Sequence, residues 1–110
     1  KKGEELAVVD FIKAGYEILH KNWRFKNKEV DIIGCRNNIL HFIEVKTTTT
    51  LKFGYPEEKV DKKKLRHLID ASAEYLFLHP QWQRIQFDVL SVTMLPAEEV
   101  AYFLIEDVYL

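Results

Sequence analysis

Residues 29–46 decide the fold that this sequence predicts, and they read Glu-Val-Asp-Ile-Ile-Gly-Cys-Arg-Asn-Asn-Ile-Leu-His-Phe-Ile-Glu-Val-Lys. Two runs rich in β-branched residues flank a polar turn at 36–38, which is the pattern of a β-hairpin. Since side chains alternate between faces along a strand, Glu44 and Lys46 are expected on the same face of the second strand. A suitable pairing register places Asp31, from the first strand, beside Glu44. The stretch therefore predicts two carboxylates and one ammonium group close together at the surface of a sheet.

These three charged groups need an explanation, because buried carboxylates are costly unless they are paired or bind a metal. Asp31 and Glu44 offer hard oxygen ligands, which suit Mg²⁺ or Mn²⁺ together with water and a phosphate group. Lys46 is suited to orient or deprotonate a water, or to stabilise charge on a phosphate. The plainer interpretation is a half-exposed strand whose glutamate and lysine face solvent. A Glu-x-Lys triplet taken alone favours that interpretation, because such triplets are common in strands.

Length and composition indicate a single globular domain over residues 1–110. Of the 110 residues, 47% are hydrophobic and 13% aromatic, which is enough for one core and too little for two. The chain has no apolar run of 18 residues and no leader pattern, so we expect a cytoplasmic protein with no membrane partner. Since the first residue is not methionine, we expect the N-terminus to be incomplete.

The cysteine count and the net charge narrow the function classes. Cys35 is the only cysteine, which excludes an intrachain disulfide and a thiolate metal cluster. The net charge of −1 argues against a generally basic, histone-like nucleic-acid binder. It is compatible with a local basic patch.

Hydrophobic periodicity and turn residues predict the order helix, three strands, helix, two strands. The three strands are expected to pair antiparallel, and the second helix to act as a crossover that sets the fourth strand parallel to a neighbour. This is an α/β, or α+β, pattern with a central mixed sheet flanked by helices. The predicted helices cover 3–14 and 57–78, and the predicted strands cover 16–25, 29–35, 39–46, 83–94 and 100–105.

The first half of the second predicted helix is strongly basic. It contains Lys59, Lys62, Lys63, Lys64 and Arg66. A solvated helix face and a track for phosphate groups explain this cluster about equally well. In the segment before the helix, Phe53 and Tyr55 either stack on nucleotide bases or pin the segment to the core, and pinning is slightly favoured.

Several short motifs occur in a fixed order along the chain. They are Gly-Glu-Glu-Leu-Ala at 3–7, Gly-Tyr-Glu-Ile-Leu at 15–19, Asn22, Glu-Val-Asp-Ile-Ile at 29–33, Phe-Ile-Glu-Val-Lys-Thr at 42–47, Phe-Gly-Tyr-Pro at 53–56, Val60, Lys64 and Phe-Asp-Val at 87–89. Their order and spacing resemble the PD-(D/E)XK nuclease superfamily, whose small members include archaeal Holliday-junction resolvases. The resemblance is closer to an uncharacterised bacterial family, the YraN-like proteins, and covers nearly the whole domain.

The resemblance implies a restriction-endonuclease-like fold and a site made by four residues. The implied catalytic residues are Glu4, Asp31, Glu44 and Lys46. Asp31 and Glu44 are the implied ligands of Mg²⁺ or Mn²⁺, and Lys46 is the implied catalytic lysine. Nucleic-acid binding falls to Lys64, with Lys63 and Arg66 as its basic neighbours. The family likeness further implies a nucleic-acid partner, DNA rather than RNA, and by analogy with junction resolvases a homodimer.

Three positions depart from the family pattern. Thr48 and Gln86 stand where arginines are usual, and Leu65 stands where a glutamine is usual. Two missing arginines are expected to weaken phosphate binding. Asp88 does not enter the site by any spacing argument and is expected to be structural.

Three functions remain open at this point. The first is a magnesium-dependent endonuclease that hydrolyses phosphodiester bonds of branched or structured nucleic acid. The second is a non-catalytic nucleic-acid-binding module with the same fold, and the third is a protein-interaction domain whose carboxylates are satisfied by lysines. The retained Asp31, Glu44 and Lys46 favour the first function, and the near-neutral charge favours the other two.

Overall fold

A five-stranded mixed sheet lies between two helices in the computed structural model, which describes residues 2–50 and 61–108. The chain is therefore a mixed α and β protein, as predicted. The elements are α1 (Lys2–Lys13), β1 (Glu17–Phe25), β2 (Lys28–Arg36), β3 (Ile39–Thr48), α2 (Lys62–Leu78), β4 (Ile85–Thr93) and β5 (Ala101–Ile105).

The strands follow one another across the sheet in the order β1-β2-β3-β4-β5. β1, β2 and β3 pair antiparallel, β3 and β4 pair parallel, and β5 returns antiparallel to β4. The parallel pairing confirms the prediction that α2 is a crossover connection. β3 therefore lies at the centre of the sheet, where Leu40, His41, Phe42 and Ile43 are buried.

Two hydrophobic clusters hold the helices against opposite faces of the sheet. On one face, α2 packs through Leu65, Leu68, Ala71 and Tyr75 against a cluster that includes Phe42. The other face carries α1, and its cluster comprises Ala7, Phe11, Tyr16, Ile32, Ile43, Leu90 and Val92. Ala73, on the other side of α2, is exposed. No helix among the described residues is long and apolar enough to cross a membrane.

Two glycines fix where α1 lies. Gly3 is buried in its first turn, and a Cβ at this position would overlap Oγ1 of Thr47 on β3. The beginning of α1 therefore lies so close to β3 that a larger residue at this position requires Thr47 or the helix to move. At the other end, Gly15 has φ +92, a left-handed conformation that favours glycine and ends the helix as predicted.

Helix α2 begins at Lys62, whereas the sequence predicted a start at Glu57. The prediction is wrong for Asp61, which precedes the helix, and residues 57–60 lie outside the described part of the chain. Asp61 has an extended backbone, and its side chain accepts hydrogen bonds from the backbone N–H groups of Lys63 and Lys64. Aspartate is a favoured N-cap because it satisfies amide donors that the first turn leaves without partners. The cap fixes the position of the basic residues that follow it.

β1 departs from regular alternation close to the predicted site. His20 and Trp23 are three residues apart, yet both rings contact Tyr75 of α2. Between them, Asn22 has φ 53, a left-handed conformation that asparagine tolerates better than most residues. The strand changes the faces of its side chains at Asn22, opposite the part of β2 that carries Asp31.

Candidate metal and nucleic-acid site

Three carboxylates from two elements come together at the edge of the α1 layer. Glu4 lies in the first turn of α1, while Glu29 and Asp31 lie two residues apart on β2. One oxygen from each of the three lies within 4.8 Å of the others. Oriented with its nitrogen toward the carboxylates, the Asn22 amide donates hydrogen bonds to Glu29 Oε2 at 2.7 Å and to Glu4 Oε1 at 2.9 Å. Asn22 of β1 therefore links Glu4 of α1 to Glu29 of β2.

An open cavity of about 230 Å³ borders these carboxylates on the α2 side. Its lining residues are Glu4, Asn27, Lys28, Glu29, Asp31, Glu44, Val45, Lys64 and His67. Three of the four predicted catalytic residues, Glu4, Asp31 and Glu44, thus border one space together with the predicted basic residue Lys64. A cavity of about 170 Å³ adjoins Glu4 and Asp31 on the α1 side.

Asp31 takes the place of a backbone acceptor where β2 and β3 separate. The paired residues of these strands end at Ile32 and Ile43, and beyond them the backbone N–H of Val45 donates to Asp31 Oδ2 at 2.8 Å. Burial raises the pKa of Asp31 to about 7, and repulsion by the Glu44 carboxylate adds to the rise, whereas the Val45 hydrogen bond lowers the pKa. In the absence of a cation, Asp31 therefore keeps its proton to a higher pH than an ordinary aspartate.

Glu44 experiences the same environment from the next strand. Burial raises its pKa, and the nearby carboxylates of Glu29 and Glu4 raise it further. The charge of Lys64, from the first turn of α2, lowers the pKa of Glu44. Lys64 therefore offsets part of the repulsion among the acids at Glu44.

Lys46 follows Glu44 on β3, toward the end of the strand. The register pairs Glu44 with Val89 and Lys46 with Ser91 of β4, so the two side chains share a sheet face as the alternation predicts. Lys46 is partly buried and lies outside the set of residues that line the 230 Å³ cavity. Lys46 thus shares the sheet face of Glu44 without lining the cavity that Glu4, Asp31 and Glu44 border.

The remaining predicted binding residues are more scattered. Lys63 and Arg66 are exposed on α2, and neither is among the residues that line the cavity. His67, one turn after Lys64, does line it. Phe53 and Tyr55, the predicted stacking or pinning residues, lie outside the described part of the chain.

The sequence interpretation did not assign Glu29 or Asn22 a role. A signal for Glu29 was present, because simple alternation along the sequence assigns it to the same strand face as Asp31. Asn22 gave no such signal, since its contact with Glu4 and Glu29 depends on the left-handed backbone at that residue.

A buried polar cluster occupies the opposite face of the sheet. Nδ1 of His41 donates to Asp88 Oδ2 at 2.6 Å, and the fully buried Asp88 also accepts from Gln86 Nε2 at 2.9 Å and from the Asp107 backbone N–H at 3.0 Å. Asp88 is thus satisfied within the fold. Gln86 faces this cluster and does not line the 230 Å³ cavity, so position 86 lies on the sheet face opposite Glu44.

The fold and the site together define a mixed-sheet α and β protein with an acidic cavity at the point where two central strands separate. The profile of the uncharacterised protein family UPF0102 matches residues 3–92, and the chain belongs to this family. A UPF0102 protein of Caldicellulosiruptor saccharolyticus is 47% identical, with 89% of this chain and 84% of the relative covered. The relative from Chloroherpeton thalassium is 36% identical, with 99% and 91% covered. A third, from Flavobacterium psychrophilum, is 40% identical, with 84% and 77% covered.

Proposed function

We propose that this protein is a divalent-metal-dependent endonuclease of the PD-(D/E)XK type, with a restriction-endonuclease-like fold, which hydrolyses phosphodiester bonds of branched or structured nucleic acid. The observation that carries the proposal is the grouping of Glu4, Glu29 and Asp31 within 4.8 Å at an open cavity. Such a grouping is costly for an isolated protein, because like charges repel and burial removes hydration. A cation that binds there relieves both costs.

The donor set fits Mg²⁺ or Mn²⁺, since all of its ligand atoms are carboxylate oxygens. Asp31 would hold the ion, with Glu44 as the predicted second ligand and Glu4 and Glu29 as further donors on the same cavity. When bound, the ion polarises a phosphate oxygen and makes a coordinated water more acidic. The raised pKa of Asp31 also supports the proposal, because perturbed carboxylates in a cleft are characteristic of functional sites.

Two lysines have separate roles in this proposal. Lys64 lies on the cavity beside Glu44 and binds a phosphate of the nucleic-acid backbone. Lys46, on the same sheet face as Glu44, orients the attacking water or stabilises the charge that develops on the scissile phosphate. Lys63 and Arg66 extend the basic surface along α2. DNA is the proposed substrate in preference to RNA, and the enzyme acts as a homodimer, by analogy with junction resolvases.

The position of Lys46 supports a second candidate, a nucleic-acid-binding module that does not cleave. Lys46 does not line the cavity that Asp31 and Glu44 share. If the lysine stays outside the cavity when nucleic acid is bound, the carboxylates and Lys64 still form a binding site for a cation and a phosphate. The two candidates differ only in whether a phosphodiester bond is broken.

A cleavage assay separates them. End-labelled single strands, duplexes, flaps, four-way junctions and a structured RNA are incubated with the protein and Mg²⁺ or Mn²⁺, with chelator as the blank. Lys46→Ala and Asp31→Asn proteins, purified in the same way, control for a contaminating nuclease. We expect metal-dependent cleavage of at least one branched substrate by the parent alone. Equal activity in all three proteins, or none on any substrate, would refute the endonuclease proposal.

A further inference from the structure

An exposed phenylalanine lies on the same sheet face as the candidate catalytic residues. The register pairs Lys46 with Ser91, and Ser91 with Phe103 of β5, so the three residues form one row across three strands. Direct partners in adjacent strands point to the same face, which places Phe103 on the face of Lys46 and Glu44. Leu104, the next residue, packs into the α1-side cluster and confirms that Phe103 points the other way.

The row is short enough for one ligand to reach both of its ends. Neighbouring strands are about 4.8 Å apart, so the backbones at Lys46 and Phe103 are separated by roughly 10 Å. Ser91 between them is small and fully buried. An oligonucleotide whose phosphate meets Lys46 therefore has a neighbouring base within reach of Phe103.

The surroundings of Phe103 leave its ring accessible. Phe103 is 50% exposed, although it belongs to a strand of the central sheet. Within the described part of the chain, helix α2 packs mainly over β1, β2 and β3. β5 contains no charged residue, so its surface suits an apolar ring more than a phosphate.

We propose that Phe103 is a stacking platform for an unpaired base next to the scissile phosphate. This inference rests on the proposed nucleic-acid site and adds the substrate class. Bases inside a duplex already stack on their neighbours, whereas an unpaired base offers a free face to an aromatic side chain. The protein therefore prefers single strands, flaps and junctions with unpaired nucleotides over continuous duplex.

Binding is measured by fluorescence anisotropy, with Ca²⁺ in place of Mg²⁺ so that cleavage is avoided, on a single-stranded oligonucleotide and on a blunt duplex. Phe103→Ala is expected to weaken single-strand binding about tenfold and to leave duplex binding unchanged. Phe103→Trp restores the affinity because it keeps the ring. Tyr102→Ala is the matched control, since Tyr102 is a comparably exposed aromatic on the opposite face of the same strand. An oligonucleotide carrying 2-aminopurine should be quenched by the parent and the Trp variant but not by Phe103→Ala.

Three outcomes overturn the stacking proposal. The first is unchanged single-strand binding in Phe103→Ala, and the second is an equal loss in Tyr102→Ala. In the third, the parent sediments as a dimer whereas Phe103→Ala and Tyr102→Ala both sediment as monomers, which identifies β5 as a contact between copies of the chain. Failure of the proposed endonuclease activity gives a different result. If base stacking depends on Phe103 but no substrate is cleaved, the stacking proposal holds and the protein is a nucleic-acid-binding module.

Discussion

Replacing Asp31 by asparagine should stabilise the metal-free protein above neutral pH. The pKa of Asp31 rises from an ordinary value of 3.8 to about 7 because the carboxyl is buried beside other acids. At about 1.4 kcal/mol for each tenfold change in proton affinity, the ionised side chain costs the fold up to about 4 kcal/mol. Because Glu44, Glu4 and Glu29 take part in the same repulsion, only part of this cost belongs to Asp31. We therefore expect the substitution to raise the free energy of unfolding by about 1–3 kcal/mol. The amide oxygen still accepts the hydrogen bond from Val45.

The pH dependence follows from the sign of the pKa shift. Between 3.8 and about 7, the folded state holds a proton on Asp31 that the unfolded state has released. The free energy of unfolding of the parent therefore decreases as pH rises through this window, and Asp31→Asn lacks this contribution. Urea unfolding with chelator should give similar midpoints for parent and variant near pH 4, and a midpoint for the variant that exceeds the parent's by a growing margin up to pH 8.

Asp70→Asn is the control, because Asp70 pairs with Lys28 at the surface at 3.0 Å and lies outside the carboxylate group. It should change stability by about 1 kcal/mol or less. Mg²⁺ at pH 8 should stabilise the parent and leave Asp31→Asn unchanged, since binding to the folded state alone raises the midpoint. A variant that is no more stable than the parent at pH 8, or that still responds to Mg²⁺, would refute this account of the site.

Lys46→Ala should lower the cleavage rate about a hundredfold or more, roughly 3 kcal/mol of transition-state stabilisation, with little change in affinity measured by anisotropy. Lys64→Ala should weaken binding across sequences and reduce the salt dependence of the affinity by about one charge, as measured by a titration over salt concentrations. Gly3→Ala should displace α1 from Thr47 and weaken Mg²⁺ binding measured calorimetrically, whereas Gly15→Ala should cost stability without changing metal affinity. Asp88→Ala should destabilise the fold by about 3–5 kcal/mol in urea, while the folded fraction retains its Mg²⁺ affinity.

The order of helices and strands was predictable from the sequence because each signal is local. Alternation across the stretch 29–46 reports a strand buried at the centre of a sheet, and Gly15 supplies the left-handed residue that ends α1. The shared face of Glu44 and Lys46 follows from alternation along β3 alone. The predicted start of α2 was too early, because the charged residues around Asp61 are compatible both with the first turn of a helix and with the N-cap that precedes it.

The composition of the site depended on contacts between elements that are distant in the chain. Glu4 reaches β2 because Gly3 lets the start of α1 approach Thr47 closely, and Asn22 joins Glu4 to Glu29 because its backbone is left-handed. Lys64 lowers the pKa of Glu44 because the Asp61 cap and the packing of α2 set the position of this lysine. Alternation fixes which face a side chain takes within a strand. Register, close approach and helix docking fix which charges meet, and these are properties of the tertiary structure alone.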